Sequence, residues 1–181
     1  MRLRLVLRLG HLAAAALVIS PSLASAVRGR FLYVSPRGAD AARCSRQQPC
    51  RTITRAVTVA RRGDTIQVAP GDYHEDVVIT KGVAVVAAHR ASVVANGFGN
   101  GFEIKGRRAA GAVIQGFTVK GALFEGILVE STSRLVISDN TVTGNNLGAR
   151  SKNTTGECAG HGNVPGDCGE GIHLMGVTHS L

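Results

Sequence analysis

The 181-residue chain contains no tryptophan and only two tyrosines, Tyr33 and Tyr73, beside five phenylalanines. Aromatic platforms for stacking on neutral sugar rings are therefore scarce, which argues against a lectin-like module built on such contacts. No basic run is interleaved with aromatics, so the usual signature of a nucleic-acid surface is missing too. No apolar stretch reaches the roughly 20 residues that cross a bilayer. No glycine-flanked nucleophile elbow appears, which leaves serine or cysteine acyl transfer without support. Nor is there a compact acidic cluster that could give a hard cation several oxygen ligands.

What is present begins with an address. Residues 1–26 carry Arg2, Arg4 and Arg8, then an apolar stretch centred on 12–19, then Ala24-Ser25-Ala26. This is the pattern of a cleaved secretory signal, so the expected product starts near Val27, is extracellular and has no membrane span. Of the 21 basic residues three fall in the signal, leaving 18 against 12 acidic ones and a formal charge of +6. A secreted basic protein would meet an acidic polysaccharide before it met nucleic acid.

The four cysteines pair locally, Cys44 with Cys50 and Cys158 with Cys168, in polar stretches. Secretion makes two loop-stapling disulfides the expected outcome. Chain entropy gives them about 2.4 and about 2.8 kcal/mol, enough to pin loops without defining a fold. Zinc is the rival, but neither pair has tetrahedral ligand spacing and only His161 lies between Cys158 and Cys168.

The nonapeptide VIQGFTVKG at 113–121 recurs as VISDNTVTG at 136–144, five of nine positions identical at an offset of 23. Each copy holds two short β-branched runs about a polar bend, then glycine, which is most of one turn of a coil made of strands. Upstream, FLYVS at 31–35 is a strand and PRGADAARCSRQQPC a disulfide-closed loop. A helix over 52–61 follows, capped by Thr52, with Ile53, Ala56, Val57 and Ala60 on one stripe and Gly63 ending it. Arg62-Gly63-Asp64 spells an integrin-type tripeptide, but it stands where a helix stops and a strand starts and reads as a turn. From Thr65 on the chain is short strands, with a turn at Pro70-Gly71-Asp72 and no further helix.

YVSPRGAD, a capping helix, GDTIQVAPGDYHEDVVI and the stacked valine runs together resemble the opening of the pectin-lyase-like right-handed parallel β-helix superfamily, over nearly all of the chain after the signal. The fold this implies is all-β: a right-handed parallel β-helix over 27–181, closed at its N-terminal end by the short helix. Strands would form three columns. The first holds DVVIT, GFEI, EGILV and EGIHL, the second VAVVAA, AVIQG and LVISD, the third SVVA, FTV and NTV. Alternation turns Phe102, Ile104, Ile127, Val129, Ile172 and Leu174 inward and Val78, Glu103, Leu128 and His173 outward. Asn140, at a bend where this superfamily stacks asparagines, is expected to be structural; its counterpart one coil earlier is Phe117, so an unbroken asparagine ladder is absent.

In the resemblance, the loop at 145–170 overhangs the outer face of the first column, where enzymes of the family bind sugar. β-Elimination of a uronate polymer would need charge neutralisation, often by Ca²⁺, and a base near C5. Candidate catalytic residues are His173, Glu103 and Arg150; candidate substrate contacts are Glu125, Lys152, Asp167 and Glu170. For any one of these carboxylates a solvated rim position is the commoner role. Glycoside hydrolysis would need paired carboxylates. Gly160-His161-Gly162 is similar to a polygalacturonase motif, but the Asn-Thr-Asp and Asp-Asp elements that accompany it do not occur. Asn153-Thr154-Thr155 fits the N-glycosylation pattern. Two functions therefore stand side by side: a polysaccharide lyase or other carbohydrate-active protein contacting an anionic polysaccharide, and a non-catalytic extracellular scaffold.

The C-terminal EGIHLMGVTHSL repeats EGILVESTSRL and stops where the earlier coil continues into VISDNTV. An open coil end exposes unpaired backbone and core. The expectation is that this chain is the N-terminal part of a longer protein, the alternative being closure by edge-to-edge self-association.

Overall fold

A computed structural model of the protein describes residues 29–147 and 171–181. These form two parallel sheets, one α-helix and one short 3-10 turn. The first strand, β1 (Phe31–Val34), is followed by helix α1 (Ile53–Val59), β2 (Thr65–Val68), β3 (Gly71–Tyr73), β4 (Val77–Ile79) and β5 (Ala84–Val94). Then come β6 (Phe102–Lys105), the 3-10 turn at Arg107–Ala109, β7 (Val113–Lys120), β8 (Ile127–Glu130), β9 (Val136–Ser138), β10 (Thr141–Val142) and β11 (Ile172–Met175). One sheet runs β1-β2-β5-β7, with β3 also on β5 and both β9 and β10 on β7; the other runs β4-β6-β8-β11.

All the pairings are parallel, which needs long crossovers, and the chain supplies them by passing from one sheet to the other and back. Val77 pairs with Phe102 and Phe102 with Ile127, at steps of 25 residues. Thr118 pairs with Thr141 at the 23-residue step of the nonapeptide repeat. Val77, Ile79, Phe102, Ile104, Ile127 and Val129 turn inward and are fully buried, against Ile66, Val85, Val93, Ile114 and Val119 of the other sheet. Phe102 meets Phe117 edge-on, ring centres 5.1 Å apart at 67°. Contacts of that geometry add about 0.5–1.5 kcal/mol beyond the area they bury.

The four-stranded sheet reproduces the expected first column in both membership and register. Ile172 and Leu174 share the inward register, yet they are 41% and 51% exposed, because no described strand lies beyond β11. The expected second and third columns differ. Their runs are joined in the long strands β5 and β7, so both belong to one hydrogen-bonded sheet, and the bend between them is a bulge where Val86 and Ala91 flank four residues facing Gly116 alone. Arg90 takes up the bend with a φ of 69°. Pro70-Gly71-Asp72 is also not a simple turn: Gly71–Tyr73 pairs with Ala91–Val93, the far arm of that bulge.

Asn140 behaves as expected. Its side chain accepts from Phe117 N (3.0 Å) and donates to Ile114 O (2.9 Å), closing the backbone of the neighbouring turn. Asn145 does the same for Ala122 N and Val119 O.

Helix α1 begins at its Thr52 cap, whose hydroxyl accepts from Arg55 N, and Ile53, Ala56, Val57 and Ala60 form the buried stripe. Glu75, from the segment before β4, accepts from Ile53 N, Thr54 N and the Thr54 hydroxyl at 2.6–2.8 Å, taking up orphan donors of the first turn. The helix stops at Val59 rather than running to 61, because Arg61 N–H donates to Asp64 (2.8 Å) instead of continuing the helical ladder. Gly63 then turns the chain with a φ of 84°. The turn reading of Arg62-Gly63-Asp64 holds, since Asp64 is buried and cannot present itself to a receptor.

Asp64 ties three segments together. It accepts from Arg30 N (2.8 Å), Arg30 Nη2 (2.7 Å), Arg30 Nε (3.2 Å) and Arg61 N. Burial pushes its pKa up, but the Arg30 side chain and the two backbone N–H groups outweigh that, and the net direction is down. Its stabilisation is therefore complete above the unfolded carboxyl value of about 3.9 and drains away as the pH falls through it. Arg30 is half exposed, so solvent screens much of the ion pair and the backbone bonds carry the larger share. Asp64→Asn should lower stability by about 1–3 kcal/mol at neutral pH. In urea titrations the gap from the wild type should narrow as the pH drops below about 4. A gap constant with pH would show that the carboxylate charge contributes nothing.

Candidate functional site

The outer face of the four-stranded sheet is built by the same alternation that fills the core. Val78, Glu103, Leu128 and His173 lie side by side across β4, β6, β8 and β11, as the sequence register implies. Two residues along, Lys105 pairs with Glu130 and Glu130 with Met175. Glu103 Oε1 receives a 2.6 Å bond from Lys105 Nζ. That bond raises the Lys105 pKa; partial burial opposes it, and the charges of Glu103, Glu130 and Asp76 add to the rise. Lys105 is thus a fixed cation at neutral pH and suits a charge clamp, not a proton acceptor.

The second cluster stands at the edge of this face. Glu125 comes just before Gly126, whose position is imposed by close stacking: a Cβ there would meet Gly171 O at 2.8 Å and the Val142 side chain at 2.2 Å. Its backbone is fixed by Asn100 Oδ1, which accepts from Glu125 N (3.1 Å), and by Gly101 N, which donates to Glu125 O (3.2 Å). The Glu125 carboxylate lies 3.5 Å from His173 Nδ1, with side-chain exposures of 11% and 16%. The separation is within ion-pair range but does not form a hydrogen bond, and Nδ1 has no other partner among the described residues. Nε2 has no hydrogen bond among the described residues. A carboxylate on the Nδ1 side of the ring leaves the Nε2 side to meet a ligand.

Glu103 and His173, both singled out as catalytic, do not meet. They are separated by β8, roughly 10 Å apart at ordinary strand spacing, with Leu128 between them. The partner of His173 is Glu125, named from the sequence only as a substrate contact. Arg150, Lys152, Asp167, Glu170, Asn153 and the Cys158–Cys168 pair lie outside the described residues. Cys44–Cys50 is a disulfide, as expected. Among the described residues no group of three or more His, Cys, Asp or Glu could hold a metal ion. Ca²⁺ needs six to eight oxygens, and Glu103 and Glu125 each already face a basic side chain, so the described face does not fit the cation considered for a lyase.

The two tyrosines part company. Tyr73 is core: its hydroxyl donates to Ala69 O (2.9 Å), and burial, then the Glu75 charge, drive its pKa up. Tyr33 instead floors a cavity of about 620 Å³ on the other sheet, beside Gln67 and Val86 and under Arg46 and Pro49 of the disulfide loop. The sequence contained a signal for this concavity, since Tyr33 alternates with the buried Leu32 and Val34, but not for the loop that roofs it.

A family described as proteins of unknown function, DUF1565, matches residues 36–106, which hold the disulfide loop, α1 and the strands through β6. That family is associated with right-handed β-helix proteins. An uncharacterized protein of Bacillus subtilis (strain 168), YwoF, is 40% identical over 47 residues, 26% of this chain and 10% of that protein. The match thus spans a tenth of the length of this curated relative. No solved structure matches. Among the described residues no helix is long and apolar enough to cross a membrane.

Removing the carboxylate of Glu103 should release Lys105. In Glu103→Gln, the Lys105 pKa followed by NMR should drop toward the ordinary lysine value, only Glu130 and Asp76 still supporting it. An unchanged titration would mean that the 2.6 Å pair does not persist in solution.

Proposed function

We propose that the two sheets are walls of a right-handed parallel β-helix, pectate-lyase-like in build, over residues 27–181 of a secreted protein that binds or processes an anionic polysaccharide along the outer face of β4, β6, β8 and β11. The in-register stack and the family match support the architecture. The leader-like residues 1–26 and the Cys44–Cys50 disulfide, a bond that oxidising compartments maintain, support secretion.

The observation that carries the functional reading is the carboxylate–imidazole pair at one edge of a face whose other polar residues include a fixed lysine. On a uronate chain, His173 Nε2 would take the C5 proton, which is acidified by the adjacent carboxylate. The C5–H electron pair would become the C4–C5 double bond as the C4–O bond breaks, and the departing oxygen would take a proton from solvent. Lys105, on the far side of Leu128 from His173, would offset the charge of a neighbouring uronate, and Glu125 would hold the imidazole. One observation favours the second reading, a non-catalytic scaffold: Glu103 and Lys105 already neutralise each other, as structural pairs do.

The test is incubation with polygalacturonate and with alginate, following the ultraviolet absorbance of an unsaturated product and, separately, retention on the immobilised polymers. Catalysis predicts turnover that falls about 10²–10⁴-fold in His173→Ala, the range for a lost general base. Glu125→Gln should fall less, having lost only the orienting carboxylate. The scaffold reading predicts no turnover. If Glu103→Gln with His173→Ala left both retention and turnover unchanged, this face would not be the binding face.

A further inference from the structure

At the corner where the chain leaves the four-stranded sheet, three successive turns stack on one another. Gly106 N donates to Glu130 O and Gly111 N to Ser133 O; Ser131 N donates to Met175 O and Arg134 N to Thr178 O, all at 2.9–3.0 Å. Between them lies a cavity of about 470 Å³ lined by Arg107, Arg134, Ser131, Thr132, Ser133 and Thr178, with no carboxylate in its wall. None of these six side chains forms a hydrogen bond or ion pair among the described residues. Thr132 Oγ1 is moreover enclosed without a partner among the described residues. Ser131 and Arg134 are held at φ values of 52° and 55°, a region that side-chain-bearing residues seldom occupy. The corner is basic beyond the cavity too, since Arg62 is anchored there by donating to Arg108 O (3.0 Å).

Two guanidiniums and the hydroxyls of Ser131, Ser133 and Thr178, gathered along one cavity with no carboxylate in its wall, are a donor set suited to an anion. We infer that this corner is a binding site for a tetrahedral oxyanion, a sulfate or phosphate, free or as the terminal ester of a sugar. A planar carboxylate offers two oxygens and is satisfied by one guanidinium fork. A tetrahedral anion presents three or four oxygens, and so can engage arginines on two adjacent turns together with hydroxyls of the second turn and the third. The backbone ladder under the turns fixes where these side chains start, so that only their rotamers are left for the anion to order. The site stands apart from the outer face of the four-stranded sheet and does not depend on the polysaccharide reading.

The experiment is calorimetric titration of the full chain, in chloride buffer, with inorganic sulfate, inorganic phosphate and glucose 6-phosphate, and with acetate as the planar control. Saturable binding of sulfate and phosphate, tighter than acetate, is expected. Arg107→Ala combined with Arg134→Ala should weaken it by at least about tenfold. The thermal midpoint should not move, because neither guanidinium supports the fold. The double lysine variant keeps both charges but loses the forks, and should bind in between. Glucose 6-phosphate binding more tightly than phosphate would identify an ester as the source, and equal or weaker binding a free anion; either order upholds the site. Absence of saturable binding, acetate binding as well as sulfate, or a double alanine or lysine variant that binds like the wild type would overturn it.

Discussion

The structure depends on one constraint, the in-register return of the chain to its own previous turn. Val77, Phe102 and Ile127 stack because the backbone comes back every 25 residues with the same parity. Parity decides which face a side chain takes, so a slip of one residue would bring Glu103, Leu128 and His173 into the core and push Phe102 and Ile127 out. Burying Glu103 and His173 would cost far more than any turn could offset, and burial of the alternate residues thus selects both the fold and the face together. The same step aligns the bends, where Asn140 and Asn145 seal backbone groups that a corner would otherwise leave open.

Around the N-terminal strands the chain solves a different problem. The apolar stripe of α1 packs near β1, β2 and β4, and two buried carboxylates hold the helix from opposite ends. Glu75 takes the N–H groups at its start, and Asp64 draws the chain away at its finish while fastening Arg30. Both carboxylates come from segments that lead into strands, Asp64 into β2 and Glu75 into β4, so the helix is positioned by the first turns of the stack rather than by its own seven residues, too few to be stable alone.

What could be read in the sequence follows from range. Strand identity and the inward and outward sets come from alternation and a 23-residue repeat, both visible within a short window, while the grouping into columns and the role of Asn140 come from the resemblance to parallel β-helix proteins. The continuity of β5 was hidden because His89-Arg90 looks like a break between VAVVAA and SVVA, and only the neighbouring β7 shows a bulge within one strand. Gly71–Tyr73 was hidden for the same reason: glycine and aspartate signal a turn locally, and its strand character exists only opposite Ala91–Val93. The Glu125–His173 pair was less legible still. The two residues are 48 apart, and the step from Ile127 to Ile172 is 45 residues rather than 25, so no periodicity in the chain announces that they meet. Glu75 as a helix cap, 22 residues from Ile53, escaped in the same way.

Register alone brings Glu103, Lys105 and the Glu125–His173 pair to the outside of the four-stranded sheet, as a surface for a uronate chain. A crystal structure of the chain with a bound oligogalacturonate measures this most directly. Sugar density is expected to run across Glu103, Leu128 and His173, with one uronate carboxylate near Lys105 and a ring carbon of a neighbouring uronate within reach of His173 Nε2. Oligosaccharide bound instead in the Tyr33 cavity of the other sheet, with the outer face of β6, β8 and β11 bare, would contradict it.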